Sequence, residues 1–281
     1  MTKGIIIILI TSFYLVGHIH GQDYKVPDTI SIQSDNLTLK ALIWRPAGQG
    51  PFAAIIFTLG SYPISDTTHD PLKDASILGP IFARRGYIYL ALFRRGVALS
   101  KGQGLNSADL MENAFKLKGQ EGRNEVQLQQ LETVQLQDMI AGLAYLRKRP
   151  DVDSRRMAIV GHSFGGSLTL LVAESDSSLR AVIVFSGGGY SWNLSPKLRT
   201  RLISAAENIK APVMIIHVQN DYSTTPGFAL DSVLFQLHNT HLLKIYPKFG
   251  NSADEAHNII FLSPKIWEAD VFKFLEENLM G

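Results

Sequence analysis

The stretch that decides the expected fold is Met157-Ala158-Ile159-Val160-Gly161-His162-Ser163-Phe164-Gly165-Gly166. An apolar run typical of a buried strand comes first, and a Gly-x-Ser-x-Gly motif then leads into a helix-length segment. A sharp strand-to-helix turn leaves no room for side chains on either side of its serine, and glycine satisfies that condition at both positions. We therefore predict that Ser163 stands exposed above a sheet, with a glycine-rich connecting turn as the simpler alternative.

The rest of the chain repeats this alternation of short apolar runs and helix-length segments. The runs, each brief enough for a buried strand, are residues 53–57, 87–93, 157–160, 181–185, 213–218 and 242–246. They lack the polar alternation of half-exposed strands, which indicates a mostly parallel sheet that helices cover on both faces. Ahead of them, residues 29–32 and 37–44 are typical of an antiparallel hairpin at a sheet edge.

Helices are expected between these runs. They are predicted at residues 72–85, 125–149, 164–175, 195–206, 227–238 and 264–280. In the second of these segments, apolar residues recur at three- and four-residue steps until Pro150 ends the pattern. No repeat, low-complexity tract or long linker divides the chain, so residues 22–281 are predicted to form one α/β domain.

Residues 1–21 have the pattern of a secretory signal peptide. Lys3 precedes an apolar stretch at residues 5–16, and glycine and histidine residues follow it. The apolar stretch is shorter than the roughly 20 residues that span a bilayer, so we expect export to the periplasm or the medium without a stable membrane anchor. The chain has no cysteine, which excludes disulfides and a thiol nucleophile.

The charge composition argues against a nucleic-acid partner, and no motif indicates a metal. Lysine and arginine number 27 against 25 acidic residues, without a basic tract. The sequence contains no His-Glu-x-x-His motif, and its glycine clusters lack the lysine of a phosphate loop. His69 beside Asp66 and Asp70 could hold a cation, but an exposed polar loop explains these residues more simply. We predict neither a metal nor a cofactor.

Around Gly161-His162-Ser163-Phe164-Gly165-Gly166, the sequence resembles the α/β-hydrolase superfamily, in particular its dienelactone-hydrolase-like and prolyl-oligopeptidase-like branches. Residues 150–156 and the loop at residues 95–100 are also similar, although Ala98 stands where the family usually has glycine. The resemblance covers nearly all of residues 22–281. It implies a serine hydrolase that needs no cofactor and acts on a small ester-like substrate.

The same resemblance implies a catalytic triad in the chain order serine, acid, histidine. Ser163 is then the nucleophile, and it needs a histidine to take its proton. Asp221 comes just past a predicted strand and shortly before a proline, as in the family's acid loop. His257 follows the last predicted strand, as in the family's histidine loop. His162 and His217 are set aside because one adjoins the nucleophile and the other lies inside a strand.

Two backbone donors are expected to stabilise the oxyanion that forms during acyl transfer. The first is the N–H of Phe164 at the start of the predicted helix. The superfamily takes the second from the loop after its third strand, here around Gly60. Aligning this glycine with the family favours the N–H of Ser61, and the N–H or hydroxyl of Tyr62 is the alternative.

Candidate pocket residues are aromatic or lie in a polar insertion. Tyr62, Tyr190 and Trp192 could line a pocket for the acyl or alcohol group, and residues 97–123 could cover it, although ordinary packing explains Tyr190 and Trp192 equally well. The resemblance favours hydrolysis of a carboxylic ester. The alternatives are a serine peptidase of the prolyl-oligopeptidase type and a binding protein that keeps the fold without catalysis.

Overall fold

A computed structural model describes residues 26–279 of the protein, so the predicted signal peptide lies outside the described residues. An eight-stranded sheet in the order β1-β2-β4-β3-β5-β6-β7-β8 runs through its centre. The strands are β1 (Asp28–Ser34), β2 (Leu37–Trp44), β3 (Phe52–Thr58), β4 (Ile88–Phe93), β5 (Val152–His162), β6 (Ala181–Phe185), β7 (Val213–Val218) and β8 (His241–Tyr246).

The strand directions confirm the predicted fold class. β1 and β2 form an antiparallel hairpin at one edge, and β2 also pairs antiparallel with β4. Every other neighbouring pair in the sheet, from β4 through β3 and β5 to β8, is parallel. Five of these strands carry buried apolar residues that face both sides of the sheet, which is why they read as continuous apolar runs. β5 extends beyond its predicted limits, because polar residues continue its amino-terminal end towards solvent.

Helices cover the sheet on both faces. They are α1 (Pro71–Arg84), α2 (Ser107–Glu132), α3 (Val134–Arg147), α4 (Phe164–Ser175), α5 (Pro196–Asn208), α6 (Thr225–Gln236), α7 (Ala253–His257), α8 (Ile259–Leu262) and α9 (Pro264–Leu279). One apolar core joins the sheet to α2 through α6, and a second joins its other face to α1, α8 and α9. Within residues 26–279, no helix combines the length and apolarity needed to cross a bilayer.

The single helix predicted at residues 125–149 is two helices. Thr133 lies between α2 and α3 with φ −121° and ψ −104°. Its hydroxyl donates a hydrogen bond of 2.7 Å to the carbonyl of Gln129, one turn earlier. The backbone N–H of Thr133 donates to the same carbonyl at 3.1 Å. A threonine that bonds back in this way often bends a helix. The apolar spacing continues across the break because α3 resumes at the next residue, so the sequence pattern did not reveal it.

The carboxyl ends of the parallel strands bring the predicted site residues to one edge of the sheet. Ser163 follows β5 directly, and Asp221 lies in the loop after β7. His257 is the last residue of α7, which follows β8. In open α/β sheets, this edge is where ligands bind.

Candidate active site

Ser163 occupies a strained turn between β5 and α4. Its backbone has φ 57° and ψ −119°, a conformation that residues with a side chain rarely adopt. A Cβ atom added at Gly161 would lie 2.2 Å from Thr169 Oγ1, and one at Gly165 would lie 2.0 Å from the carbonyl oxygen of Thr58. Both glycines are therefore required by close approach of the chain, as the motif predicts.

The structure brings Ser163, His257 and Asp221 into one hydrogen-bonded chain. His257 Nε2 lies 2.8 Å from Ser163 Oγ, and His257 Nδ1 lies 2.7 Å from Asp221 Oδ1. An ionised carboxylate can only accept, so Nδ1 carries the ring proton. Nε2 is then the acceptor for the hydroxyl hydrogen of Ser163. This arrangement can remove a proton from a serine hydroxyl.

The carboxylate of Asp221 is held by further donors. The hydroxyl of Ser186 donates to Oδ2 at 2.6 Å, and the N–H of Tyr222 donates to Oδ1 at 2.7 Å. His217 Nδ1 lies 3.4 Å from Oδ2. Burial raises the pKa of this carboxyl, but the hydrogen bonds from His217, His257 and Ser186 outweigh burial and hold its pKa below the ordinary value. His217, which was set aside as a strand residue, therefore contacts the acid.

His257 is positioned by its own helix and by a second histidine. A reciprocal pair of hydrogen bonds between Ser252 and Glu255 caps the first turn of α7. His162 Nε2 lies 2.8 Å from the backbone carbonyl of His257, and the two rings are 5.0 Å apart. Burial lowers the pKa of His162 to about 3, so its ring is neutral and donates through Nε2 to that carbonyl. Sequence reasoning missed this contact.

A buried arginine holds the loop after β3. The Arg94 guanidinium donates to the carbonyls of Leu59 at 2.9 Å and Gly60 at 3.2 Å, and to Gln135 Oε1 at 2.7 Å. Burial lowers the pKa of Arg94 to about 10, which leaves it charged at neutral pH. The C=O and N–H of one trans peptide point in opposite directions. Because the carbonyl of Gly60 faces Arg94, the N–H of Ser61 points away from it.

A cavity of about 370 Å³ contains Ser163 and His257 in its wall. Ser61 and Phe164 also line this cavity, so both regions predicted to supply oxyanion donors reach it. The N–H of Phe164 belongs to the first turn of α4 and has no acceptor within the helix. Arg123, at the end of the predicted covering segment, lines the cavity as well.

The three aromatic candidates have different positions. Tyr62 and Tyr190 line the cavity, and Tyr190 packs edge-on against Tyr222 with a ring separation of 5.3 Å. Trp192 is only 1% exposed and packs in the core between the sheet and its helices. The prediction that Trp192 lines the pocket is therefore wrong. The large apolar ring of Trp192 gains more free energy from burial in that core than it would from partial exposure in the cavity.

His69 lies in the loop between β3 and α1, where residues 64, 65, 67, 68 and 70 are exposed, and its partly exposed side chain belongs to the wall of the same cavity. Its ring stacks on Tyr62 at 4.4 Å with an interplanar angle of 13°, and its Nδ1 lies 2.8 Å from Asp66 Oδ2. Asp70 does not join them and instead caps α1 through the N–H of Leu72. Among the described residues, no group of three or more metal-ligating side chains converges.

Comparison with known proteins gives one family and one curated relative. The model of the dienelactone hydrolase family matches residues 76–258, nearly two thirds of the chain. Over 133 residues, 44% of this chain, the sequence is 32% identical to the bis(hydroxyethyl) terephthalate hydrolase of Streptomyces coelicolor. The aligned part spans about 40% of the length of that relative.

Solved structures share the fold at low sequence identity. The dienelactone hydrolase of Anabaena variabilis aligns with a TM-score of 0.58 and 17% identity, over 92% of this chain and 100% of its own. Dipeptidyl peptidase 4 of Porphyromonas gingivalis aligns with a TM-score of 0.62 and 18% identity, over 92% of this chain and 36% of its own. These likenesses show a fold that a dienelactone hydrolase and a peptidase share.

Proposed function

The chain belongs to the dienelactone hydrolase family, and from this membership we propose that it is a serine hydrolase that cleaves a carboxylic ester or a related acyl bond. The proposal assigns Ser163 as nucleophile, His257 as general base and Asp221 as the acid that orients the base. The observation that carries it is the continuous hydrogen-bonded chain from Ser163 Oγ through the His257 ring to Asp221.

In the first half of the proposed reaction, Ser163 Oγ attacks the carbonyl carbon of the ester while its proton passes to His257 Nε2. The bond between that carbon and the alcohol oxygen then breaks, and the alcohol leaves with the proton from His257. Ser163 now carries the acyl group. In the second half, water gives a proton to His257 and attacks the acyl carbon, and the carboxylic acid leaves as the proton returns to Ser163 Oγ.

The proposed oxyanion hole consists of the N–H groups of Phe164 and Ser61. The first supporting observation is the position of Phe164 at the start of α4, where a helix presents free N–H groups. The second is the contact of Arg94 with the carbonyl of Gly60, which turns the N–H of Ser61 the other way. Tyr62 is the weaker candidate through its hydroxyl, because that hydroxyl is buried.

The proposed substrates are small esters. The cavity of about 370 Å³ suits an acyl group with a compact alcohol. Tyr190 and Tyr222, each nearly half exposed, offer ring faces and edges to an aromatic acyl group. The name of the Streptomyces relative makes hydroxyethyl esters of aromatic acids a first choice for a substrate panel.

The test combines active-site labelling with a substrate panel. Purified wild type should react with a fluorophosphonate probe and hydrolyse p-nitrophenyl acetate, and Ser163→Ala should do neither, with a loss on the order of 10⁴- to 10⁶-fold in turnover. Ser175→Ala is the matched control, because Ser175 lies at the far end of α4 and its hydroxyl donates to the carbonyl of Leu171 within the same helix.

Each outcome separates the candidate functions. Hydrolysis of esters without cleavage of peptide p-nitroanilides favours the esterase over the peptidase. Absence of labelling in folded wild type would leave a binding protein as the better account. Unchanged turnover in Ser163→Ala would refute the nucleophile assignment.

A further inference from the structure

A second aspartate–histidine pair faces the cavity that holds Ser163. Asp66 Oδ2 lies 2.8 Å from His69 Nδ1. The other oxygen of this carboxylate accepts from both the N–H and the hydroxyl of Thr68, at 2.8 Å and 2.6 Å. These hydrogen bonds, of which the one from the Thr68 hydroxyl has the largest effect, lower the pKa of Asp66 to about 2. The carboxylate is therefore ionised at neutral pH. The ring of His69 is therefore fixed at its Nδ1 side.

The remaining edge of the His69 ring is available to a ligand. One face of the ring is covered by Tyr62, which stacks on it at 4.4 Å. Nδ1 faces Asp66 and Thr68, whereas Nε2 has no hydrogen-bond partner among residues 26–279. The side chain of His69 is 24% exposed and lines the cavity. A fixed imidazole with one free nitrogen in a catalytic cavity is suited to hold one polar atom of a substrate.

The charges around the cavity favour a neutral polar group over an ion. Arg123 lines the cavity and disfavours a substrate cation, and it has no carboxylate partner within the described part of the chain. Asp66 and Asp254 line the same cavity and disfavour a substrate anion. A hydroxyl group carries no charge, and it can donate to a neutral imidazole nitrogen or accept from a protonated one.

We propose that His69, oriented by Asp66, is a specificity-determining residue that binds a hydroxyl group of the ester substrate through Nε2. This inference rests on the proposed function and narrows its substrate class to hydroxylated esters. The hydroxyl can belong to the alcohol or to the acyl part, and the experiment distinguishes the two sources. His69 takes no part in bond making or breaking.

The test compares matched substrates in matched variants. Ethyl acetate has no hydroxyl group. The matched ester 2-hydroxyethyl acetate carries one on its alcohol part, and ethyl glycolate carries one on its acyl part. Wild type is compared with His69→Phe, which keeps a ring to stack on Tyr62, and with His69→Gln, whose amide can replace Nε2. His241→Phe is the control, because His241 also contacts an aspartate, Asp231, but lines a separate cavity.

The measured quantity is kcat/KM for each hydroxylated ester divided by kcat/KM for ethyl acetate. His69→Phe should lower this ratio about 3- to 10-fold for the ester whose hydroxyl reaches His69. His69→Gln should restore part of the ratio, and His241→Phe should leave it at the wild-type value. The substrate that responds identifies whether the alcohol or the acyl part is bound.

The ratio separates substrate recognition from support of the loop. If His69 only holds the loop, His69→Phe lowers kcat/KM equally for all three esters and leaves the ratio unchanged, which overturns the proposal. If the proposed function itself is wrong, wild type does not hydrolyse ethyl acetate and Ser163→Ala changes nothing. Failure of the inference and failure of the function therefore give different results.

Discussion

Gly165→Ala tests whether close contact between α4 and the loop after β3 sets the geometry of catalysis. The added Cβ atom would lie 2.0 Å from the carbonyl oxygen of Thr58 and 2.3 Å from that of Leu59. Both are backbone atoms that cannot rotate away. An ordinary contact needs more than about 3 Å, so the loop and the helix must separate by about 1 Å. The same loop carries Ser61, the proposed second oxyanion donor.

Two effects on stability oppose each other in this variant. Alanine is favoured over glycine in the interior of a helix by about 1 kcal/mol, and this is an upper bound for Gly165 because it lies in the first turn of α4. Overpacking of a tight contact costs about 1–3 kcal/mol, and more where backbone atoms must move. We therefore expect the free energy of unfolding to fall by about 1–2 kcal/mol, which leaves the protein folded. A displacement of about 1 Å at a reacting group can lower turnover on the order of 10²-fold, and we expect kcat to fall by at least that amount.

The assay measures kcat on p-nitrophenyl acetate together with urea unfolding. Gly102→Ala is the matched control, because a Cβ atom at Gly102 meets nothing within 4 Å. It should keep the wild-type kcat. If Gly165→Ala unfolds at the expected urea concentration but retains a kcat within twofold of wild type, the contact between the loop and α4 does not position the oxyanion donors, and the reasoning is refuted.

Three further predictions concern buried polar groups. Asp221→Asn should lower kcat on the order of 10⁴-fold, the size of loss that this change causes in a serine protease, because an amide no longer fixes the His257 tautomer; steady-state kinetics beside His241→Ala measures this. Arg94→Met should lower kcat about 10²- to 10³-fold with a smaller change in KM, because the loop that carries Ser61 loses its hydrogen bonds to the guanidinium. A kcat equal to that of wild type would contradict this prediction. Burial raises the pKa of Asp74 to about 6 in the folded protein, above its value of about 4 in the unfolded chain. Between these two values the unfolded chain loses the proton more readily than the folded protein, so the free energy of unfolding should fall between about pH 4 and pH 6 and stay at the lower value above pH 6. Urea unfolding at pH 4 and pH 8 measures this fall, which should be smaller by about 2–3 kcal/mol in Asp74→Asn than in wild type. An equal fall in the two proteins would refute the prediction.

The sheet could be predicted from the sequence because its strands are buried on both faces. Burial on both faces requires apolar residues at every position, and the runs at residues 181–185 and 213–218 coincide with β6 and β7. The break at Thr133 could not be predicted in the same way. The break lies at one residue, Thr133, whose hydroxyl bonds back to the carbonyl of Gln129. The apolar spacing on the two sides of the break is compatible with one helix.

The predicted nucleophile, base and acid lie together because each follows a strand in a parallel sheet. The order of the strands along the sheet then brings Ser163, Asp221 and His257 to the same edge. Side-chain direction was harder to predict. Tyr190 and Trp192 are aromatic neighbours in one loop, yet one lines the cavity and the other packs in the core. Residue type does not distinguish them, because the position of each ring depends on which part of the core lies beneath the loop.

The residues that sequence reasoning missed act through contacts between distant parts of the chain. Arg94 holds a carbonyl 35 positions away, and His162 holds the backbone of His257, which is 95 positions away. Each is a polar side chain that hydropathy would place at the surface, and each is buried because its partner is buried with it. These contacts support groups of the proposed mechanism without touching a substrate. A motif search finds residues that react, whereas the residues that hold them are defined only by the folded chain.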